Sequence, residues 1–124
     1  MAKILIVDDS TTLRDQLKEC ISNAGHTVLE GHDGKNGLEI AEAETDIALI
    51  ISDYNMPVLD GIGMITRIKE IDRYAKTPIF MLTTESTKEL MKEGKKAGVM
   101  AWIVKPFDEE EIIEVINHVL KKAA

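Results

Sequence analysis

Reactive side chains follow the apolar runs of this sequence, at the points where those runs end. Asp8 and Asp9 come directly after the first run, and Asp53 comes after the third. Thr83 follows the fourth run and Lys105 the fifth. If the runs are parallel strands, their carboxyl ends share one rim of the sheet, which is where such sheets bind ligands. The sequence therefore predicts a cluster of three carboxylates, one hydroxyl and one ammonium.

Such a cluster has a definite chemistry. Two unit charges about 4 Å apart repel by roughly 4 kcal/mol at an effective dielectric near 20. Three carboxylates therefore need raised pKa values or a cation, and one lysine does not balance them. Oxygen ligands in a partly buried pocket favour Mg²⁺. An aspartate beside Mg²⁺ is equipped to attack a phosphorus atom, because Lys105 and the metal offset phosphoryl charge while Thr83 donates a hydrogen bond.

Five short apolar runs must position these residues, and they alternate with longer helical patterns. The runs are residues 4–7, 27–29, 47–51, 79–82 and 102–104. Continuous aliphatic runs are typical of strands buried on both faces, as in a parallel sheet covered by helices. The second run is the least apolar and predicts an edge strand. Strands that alternate with helices predict an α/β domain with right-handed crossovers.

Capping residues predict where the helices begin and end. Gly25 ends the first helix, and Asp60 is placed to cap the third. Residues 86–89 (STKE) have the form of a capping box that opens the fourth helix. Residues 108–111 (DEEE) open the fifth, with carboxylates at the positive end of its dipole.

The fourth helix has a thin apolar stripe. Its apolar residues are Leu90, Met91 and Ala97, and Gly94 interrupts them. Four lysines cover the same helix: Lys88, Lys92, Lys95 and Lys96. Few apolar contacts and an internal glycine predict an element that opens at a low cost in free energy.

Composition restricts the class of protein. The 124 residues fit one domain, and a net charge of −7 argues against a nucleic-acid binder, which needs a basic face. No apolar run approaches the roughly 20 residues of a membrane helix, and no signal peptide is visible. The single cysteine, Cys20, cannot form an internal disulfide. We expect a cytoplasmic monomer without nucleic-acid or membrane partners.

Four groups of short motifs together carry a family resemblance. They are VDDS (7–10), DYNMP (53–57) followed by DG (60–61), LTTE (82–85) and VKPF (104–107). In this order the sequence resembles the receiver domain of two-component response regulators, and within that family the stand-alone, CheY-like chemotaxis type. The resemblance implies one receiver domain over residues 1–124. It also implies a flavodoxin-like, doubly wound α/β fold with five parallel strands in the order 2-1-3-4-5.

The resemblance implies a role for each site residue. Asp53 is the expected phosphoacceptor, and Thr83 and Lys105 are the catalytic residues expected to contact the phosphoryl group. The expected ligands of a Mg²⁺ cofactor are Asp9, Asp53 and the backbone carbonyl of Asn55, with Asp8 acting through water. The Lys105–Pro106 peptide bond is expected to be cis.

Three residues are expected to tune or transmit the switch. Asn55 lies two residues past Asp53 and Glu85 two past Thr83, and both flank the path of the water that hydrolyses the phosphoaspartate. Trp102 stands where the family usually carries Tyr or Phe, an aromatic that turns inward as Thr83 moves toward the phosphate. An indole is bulkier, and its N–H needs a partner when buried. We therefore expect an outward or intermediate Trp102 without phosphate.

The implied function is a phosphorylation-activated signalling switch, which is an enzyme only toward its own phosphorylation and dephosphorylation. A CheA-like histidine kinase would supply the phosphoryl group. The face formed by the fourth helix, fifth strand and fifth helix would then change its affinity for a partner protein. The flagellar motor switch is the expected target, and a phosphatase is a further candidate partner.

Several alternatives stay open. The chain could be a phosphorelay shuttle or phosphate sink outside chemotaxis, or a phosphorylation-independent interaction module. A flavin-binding protein has a similar topology, but Asp8 and Asp9 would repel the flavin phosphate. A haloacid-dehalogenase-type phosphatase needs Asp-x-Asp, whereas these aspartates are adjacent. Taken singly, Asp8 and Asp9 could cap a helix and Lys105 could be a surface lysine; their coincidence at several strand ends favours a site.

Overall fold

A five-stranded parallel sheet forms the centre of the computed structural model, which describes residues 2–123. Its strands are β1 (Lys3–Val7), β2 (Thr27–Gly31), β3 (Ile47–Ser52), β4 (Ile79–Thr83) and β5 (Ala101–Val104). Their order across the sheet is β2-β1-β3-β4-β5. The predicted doubly wound α/β fold and its strand order are confirmed, and the second apolar run is an edge strand as predicted.

The register of the sheet aligns the carboxyl ends of the strands. Val7 at the end of β1 lies opposite Gly31 of β2 and Ser52 of β3. Thr83 at the end of β4 lies opposite Val104, the last residue of β5. The residues that follow β1, β3 and β5 therefore leave the sheet at one rim, which is the arrangement that the sequence predicted.

Helices cover both faces of the sheet. They are α1 (Thr11–Asn23), α2 (Gly34–Ala43), α3 (Gly61–Lys69), α4 (Lys88–Ala97) and α5 (Glu109–Ala123). One core includes Leu17 of α1 and Ile116 of α5. The other includes Ala41 of α2 and Ile65 of α3. Side chains of β1 alternate between the two cores, as expected for a strand buried on both faces.

Most helix boundaries lie where capping residues predicted them. Asp60 Oδ1 accepts the Gly63 N–H at 2.8 Å at the start of α3. Asp108 Oδ1 accepts the Glu111 N–H at 3.0 Å at the start of α5. Gly25 has a φ of 95° just past the end of α1, in the left-handed region that glycine adopts at helix ends.

The fourth helix is capped one residue later than the capping-box pattern predicted. Thr87, rather than Ser86, is the N-cap, and its Oγ1 accepts the Leu90 N–H at 3.2 Å. Both residue types are good caps. The path by which the chain arrives from β4 decides between them, and a local sequence pattern does not show that path.

A 3₁₀ helix, Asp72–Tyr74, precedes β4 and was not predicted. Tyr74 is 1% exposed, and its hydroxyl donates to the Glu44 carbonyl at 2.6 Å, just beyond α2. The guanidinium of Arg73 lies over the Tyr74 ring, 4.9 Å from its centroid. A single buried aromatic in a polar stretch has no periodicity, so the sequence analysis missed it.

Candidate functional site

Three aspartates form an acidic cluster at the carboxyl rim of the sheet. Carboxylate oxygens of Asp8, Asp9 and Asp53 all lie within 4.8 Å of one another. Asp8 is 3% exposed, Asp9 is exposed and Asp53 is half-buried. The structure therefore brings together the three carboxylates that the sequence placed at the ends of two separate strands.

Lys105 reaches this cluster from the end of β5. Its Nζ donates to Asp8 Oδ2 at 2.9 Å and to Asp53 Oδ2 at 3.0 Å. Burial by itself lowers the pKa of Lys105, but hydrogen bonds to the two carboxylates outweigh burial and raise that pKa. The ammonium is therefore charged at neutral pH and bridges two of the three carboxylates. The Lys105–Pro106 bond is cis, as expected.

Asp8 is the most deeply buried of the three aspartates, so its negative charge is the least well solvated. Burial raises the pKa of its carboxyl group, although hydrogen bonds from Lys105 and from the Ser10 N–H oppose that shift. The nearby Asp53 carboxylate raises the pKa of Asp8 further. One ammonium thus leaves the cluster with an excess of negative charge, which a divalent cation would offset.

The donor set of the cluster fits Mg²⁺. This ion prefers hard oxygen ligands at about 2.0–2.1 Å, so two ligands of one ion lie at most about 4.2 Å apart. The carboxylate oxygens lie within 4.8 Å of one another, and small side-chain rotations close that difference. Asn55 borders the cluster, because its N–H lies 3.4 Å from Asp53 Oδ1.

The loop between β3 and α3 holds Asp53 in position. Asp53 Oδ1 accepts the Tyr54 N–H at 2.7 Å, and the Gly61 N–H closes the loop on the Tyr54 carbonyl at 2.8 Å. A Cβ at Gly61 would lie 2.2 Å from the Asp53 carbonyl oxygen, so the closure requires glycine. Oδ1 is thereby anchored to the backbone while Oδ2 faces Lys105.

Arg14 supports the site, and the sequence analysis missed it. Its Nη1 donates to the Asp8 carbonyl at 2.6 Å, and its Nε lies 3.4 Å from Glu30 Oε1. Arg14 therefore ties the turn after β1 to α1 and places a positive charge near the acidic cluster. The signal that could have identified it is an arginine in the first turn of a helix that directly follows an acidic motif.

Thr83 ends β4, the strand that pairs with β3. It is 1% exposed, and its Oγ1 accepts the Glu85 N–H at 3.3 Å. A hydroxyl that accepts one hydrogen bond keeps its own proton for donation. Thr83 can therefore hold the β4–α4 loop and donate to an oxyanion at the same time.

Trp102 of β5 contacts that same loop. Its indole Nε1 donates to the Glu85 carbonyl at 2.8 Å, and the side chain is partly buried. The sequence predicted an outward or intermediate Trp102 without phosphate; the observed side chain is partly buried, and its indole N–H has the partner that a buried indole needs. The interpretation of Gly94 as a mere interruption of α4 was incomplete: Gly94 is buried, and a Cβ there would lie 2.7 Å from Trp102 Cζ3.

Comparison with known proteins decides the family. Residues 4–117 match the family model described as the response regulator receiver domain. The chain belongs to that receiver domain family. Its fold and its acidic rim agree with this assignment, which favours the receiver interpretation over a flavin-binding protein or a haloacid-dehalogenase-type phosphatase.

Relatives of this receiver domain include chemotaxis proteins. It is 37% identical over 119 residues to chemotaxis protein CheY1 of Helicobacter pylori, covering 95% of this chain and 96% of that protein. It is 35% identical to the CheY homolog of Campylobacter jejuni, covering 95% and 92% of the two chains. The structure of Vibrio cholerae chemotaxis protein CheY4 matches with a TM-score of 0.91 and 39% identity, over 96% of this chain and 98% of that one. The receiver domain is therefore CheY-like.

Family membership settles the general activity. This receiver domain is a phosphorylation-regulated signalling protein of two-component systems rather than a conventional enzyme. Receiver domains bind Mg²⁺ at an acidic pocket, and the acidic cluster described above is suited to that ion. Within residues 2–123, no helix combines the length and apolarity needed to cross a bilayer. The roles of individual residues, the partners and the compartment stay predictions.

Proposed function

We propose that this receiver domain accepts a phosphoryl group on Asp53 from the phosphohistidine of a CheA-like histidine kinase, in a Mg²⁺-dependent step. Phosphorylation then changes its affinity for a partner protein. The observation that supports this most is the position of Lys105, whose ammonium lies 3.0 Å from Asp53 Oδ2 at the edge of the acidic cluster. A nucleophilic carboxylate, a fixed cation and hard metal ligands thereby share one rim.

The transfer step needs a free carboxylate oxygen. Asp53 Oδ2 attacks phosphorus while the phosphorus–nitrogen bond of the donor breaks, and the donor imidazole leaves with the bonding electron pair and takes up a proton. Oδ2 is the attacking atom because Oδ1 accepts the Tyr54 N–H. Lys105 would give up its contact with Oδ2 for a contact with a phosphoryl oxygen.

Two further groups would stabilise the transferred phosphoryl group. Thr83 would donate its hydroxyl proton to one of its oxygens, in the manner of preorganised donors at developing charge. Mg²⁺ would supply the remaining positive charge, held by Asp9, Asp53 and the Asn55 carbonyl, with Asp8 acting through water. Asn55 and Glu85 would flank the water that later hydrolyses the phosphoaspartate.

Hydrogen bonds provide a route from the site to the surface. The Glu85 N–H donates to Thr83 Oγ1, and the Glu85 carbonyl accepts from the Trp102 indole. A Thr83 hydroxyl drawn toward a phosphoryl group therefore pulls on the backbone of Glu85. That movement reaches Trp102 and the start of α4 together.

The surface formed by α4, β5 and α5 has the composition of a partner-binding surface. Met100 is 61% exposed and Val104 46% exposed, while Met91 and Val115 are each 38% exposed. Lys88, Lys92 and Lys95 of α4 line a shallow cavity together with Met91 and Met100. An apolar centre with a charged rim is typical of protein interfaces. Because the relatives named above are chemotaxis proteins, we propose the flagellar motor switch as the target, and a phosphatase as a second partner.

Acetyl phosphate provides a direct test. Incubated with it, the wild-type protein should gain the mass of one phosphoryl group when Mg²⁺ is present and none when it is absent. Asp53→Asn should gain none under either condition. Asp15→Asn, at an exposed position of α1, is the matched control and should behave like the wild type. A modified Asp53→Asn protein would show that another residue is the acceptor, and an unmodified wild type would refute the proposal.

We further propose that residues 1–124 form a single receiver domain. We also propose that the protein acts as a monomer in the cytoplasm. Its net charge of −7 disfavours self-association, and its single cysteine suits a reducing compartment. Light scattering with and without a beryllofluoride salt should give the monomer mass. Transfer of the phosphoryl group onward to a second histidine-containing protein would instead favour the phosphorelay alternative.

A further inference from the structure

Gly94 and Trp102 fit against each other at the inner face of α4. Gly94 is buried in the middle of that helix. A Cβ built on it would lie 2.7 Å from Cζ3 and 3.2 Å from Cε3 of the Trp102 ring. The first distance is shorter than real carbon contacts allow, so any side chain at position 94 must displace the indole or the helix.

The opposite edge of the indole is held as well. Its Nε1 donates to the Glu85 carbonyl at 2.8 Å, in the loop that precedes α4. The ring therefore sits between a helix backbone on one side and a loop carbonyl on the other. If the ring moved away from Gly94, its Nε1 would be pushed toward the Glu85 carbonyl, and the ring or the loop would have to shift.

We propose that Gly94 is a positioning residue, which sets the location of Trp102 and through it the conformation of the loop after Thr83 in the unphosphorylated protein. The bulky indole and the missing side chain act as one matched pair. The link to signalling rests on the proposed function, because it runs through the Glu85 N–H that donates to Thr83 Oγ1 at 3.3 Å. The matched pair itself does not depend on phosphorylation.

A simpler explanation makes the opposite prediction. If Gly94 only interrupted α4, an alanine there would stabilise the helix, because alanine has a much higher helix propensity than glycine. If Gly94 makes room for Trp102, alanine should destabilise the protein in spite of that propensity. The sign of the Gly94→Ala effect therefore separates the two explanations.

A size-exchange experiment tests the pair. Gly94→Ala should lower the urea midpoint of the wild type. In a Trp102→Phe background the same substitution should raise the midpoint, because the smaller ring leaves space for the methyl group. Such a reversal is the coupling expected of residues in direct contact. Lys96→Ala, at an exposed position of α4, is the control and should shift the midpoint equally in both backgrounds.

Fluorescence provides a readout that loss of stability alone does not change. Trp102 is the single tryptophan of the chain, so emission reports on this side chain. Gly94→Ala should move the emission maximum to longer wavelength in the folded protein, and the Glu85 amide should exchange several-fold faster. Lys96→Ala should leave both unchanged.

Each outcome decides the inference. A higher midpoint for Gly94→Ala in the wild-type background, or an unchanged emission maximum, would overturn it. If both change as expected while wild-type Asp53 takes no phosphoryl group from acetyl phosphate, then the proposed function fails and the Gly94–Trp102 pair stands.

Discussion

Helices α3 and α4 lie beside each other on the same face of the sheet, yet they are anchored to very different degrees. α3 buries Met64, Ile65 and Ile68 completely. The buried position of α4 is Gly94, and its Leu90 is only half-buried. Burying one large aliphatic side chain contributes about 1.5–3 kcal/mol. Apolar burial therefore holds α3 several times more strongly than α4.

The loops that precede α3 and α4 have different roles in the proposed function. The difference in packing between the two helices suits those roles. Under the proposed function, the loop before α3 carries Asp53, whose carboxylate would stay beside the other proposed metal ligands. The loop before α4 starts at Thr83 and would follow it when a phosphoryl group arrives. Elements that move during function come from the least stable parts of a fold. The site therefore combines a firmly packed helix, α3, with a weakly packed one, α4.

Truncating one apolar residue in each helix should have the largest effect on stability. Equal losses in the free energy of unfolding would contradict the difference between α3 and α4. Ile65→Ala removes a fully buried side chain and should lower the free energy of unfolding by about 2–5 kcal/mol. Leu90→Ala removes a half-buried one and should cost about 1 kcal/mol. Urea unfolding with linear extrapolation measures both values.

Hydrogen exchange compares the helices without a substitution. Backbone amides in the middle of α4 should exchange about 100-fold faster than those of α3, because local opening of α4 exposes little apolar surface. Amide exchange followed by NMR resolves the individual residues. Protection in α4 equal to that in α3 would show that α4 is not the more easily opened helix.

Asp8→Asn tests how the buried charge of Asp8 affects the stability of the protein. It removes a buried charge from a cluster of like charges and should raise the free energy of unfolding by about 1 kcal/mol at neutral pH, while Mg²⁺ binding weakens. Because the folded-state pKa of Asp8 is raised, this gain should vanish as the pH falls through that pKa. Thermal unfolding across the acid range, with Asp15→Asn as control, measures the effect. A loss of stability at neutral pH would contradict this account of Asp8.

The smallest expected effect is the alkaline behaviour of Lys105. Its raised pKa means that folding favours the ammonium form, so its contribution is complete below the unfolded value of 10.5 and is lost as the pH rises through the folded value. The stability difference between wild type and Lys105→Gln should therefore stay constant up to about pH 10.5 and then shrink by roughly 1 kcal/mol or less as the pH rises through the folded value. Lys96→Gln, at an exposed position, should show no such change. A difference that is independent of pH would place Lys105 outside the acidic cluster.

The acidic cluster and the helix boundaries were largely predictable, because both follow from local order along the chain. Asp8 and Asp53 each follow an apolar run, and parallel strands end at a common rim. Arg14 was missed because its hydrogen-bond partner at Asp8 is a backbone carbonyl, so the one sequence signal was its place in the first turn of the helix after an acidic motif. Tyr74 was missed because one buried aromatic has no periodicity, and Gly94 was misjudged because its neighbour Trp102 belongs to another element.

By itself, the sequence determined which groups reach the rim and in what order the strands and helices follow one another, since apolar period and capping act over a few residues. Tertiary structure decided which of those groups touch. Lys105 meets Asp8 and Asp53 across 97 and 52 residues of chain, and Gly94 meets Trp102 across a helix and a strand. Such contacts depend on how whole elements pack, and packing is set by the complete three-dimensional arrangement of the core.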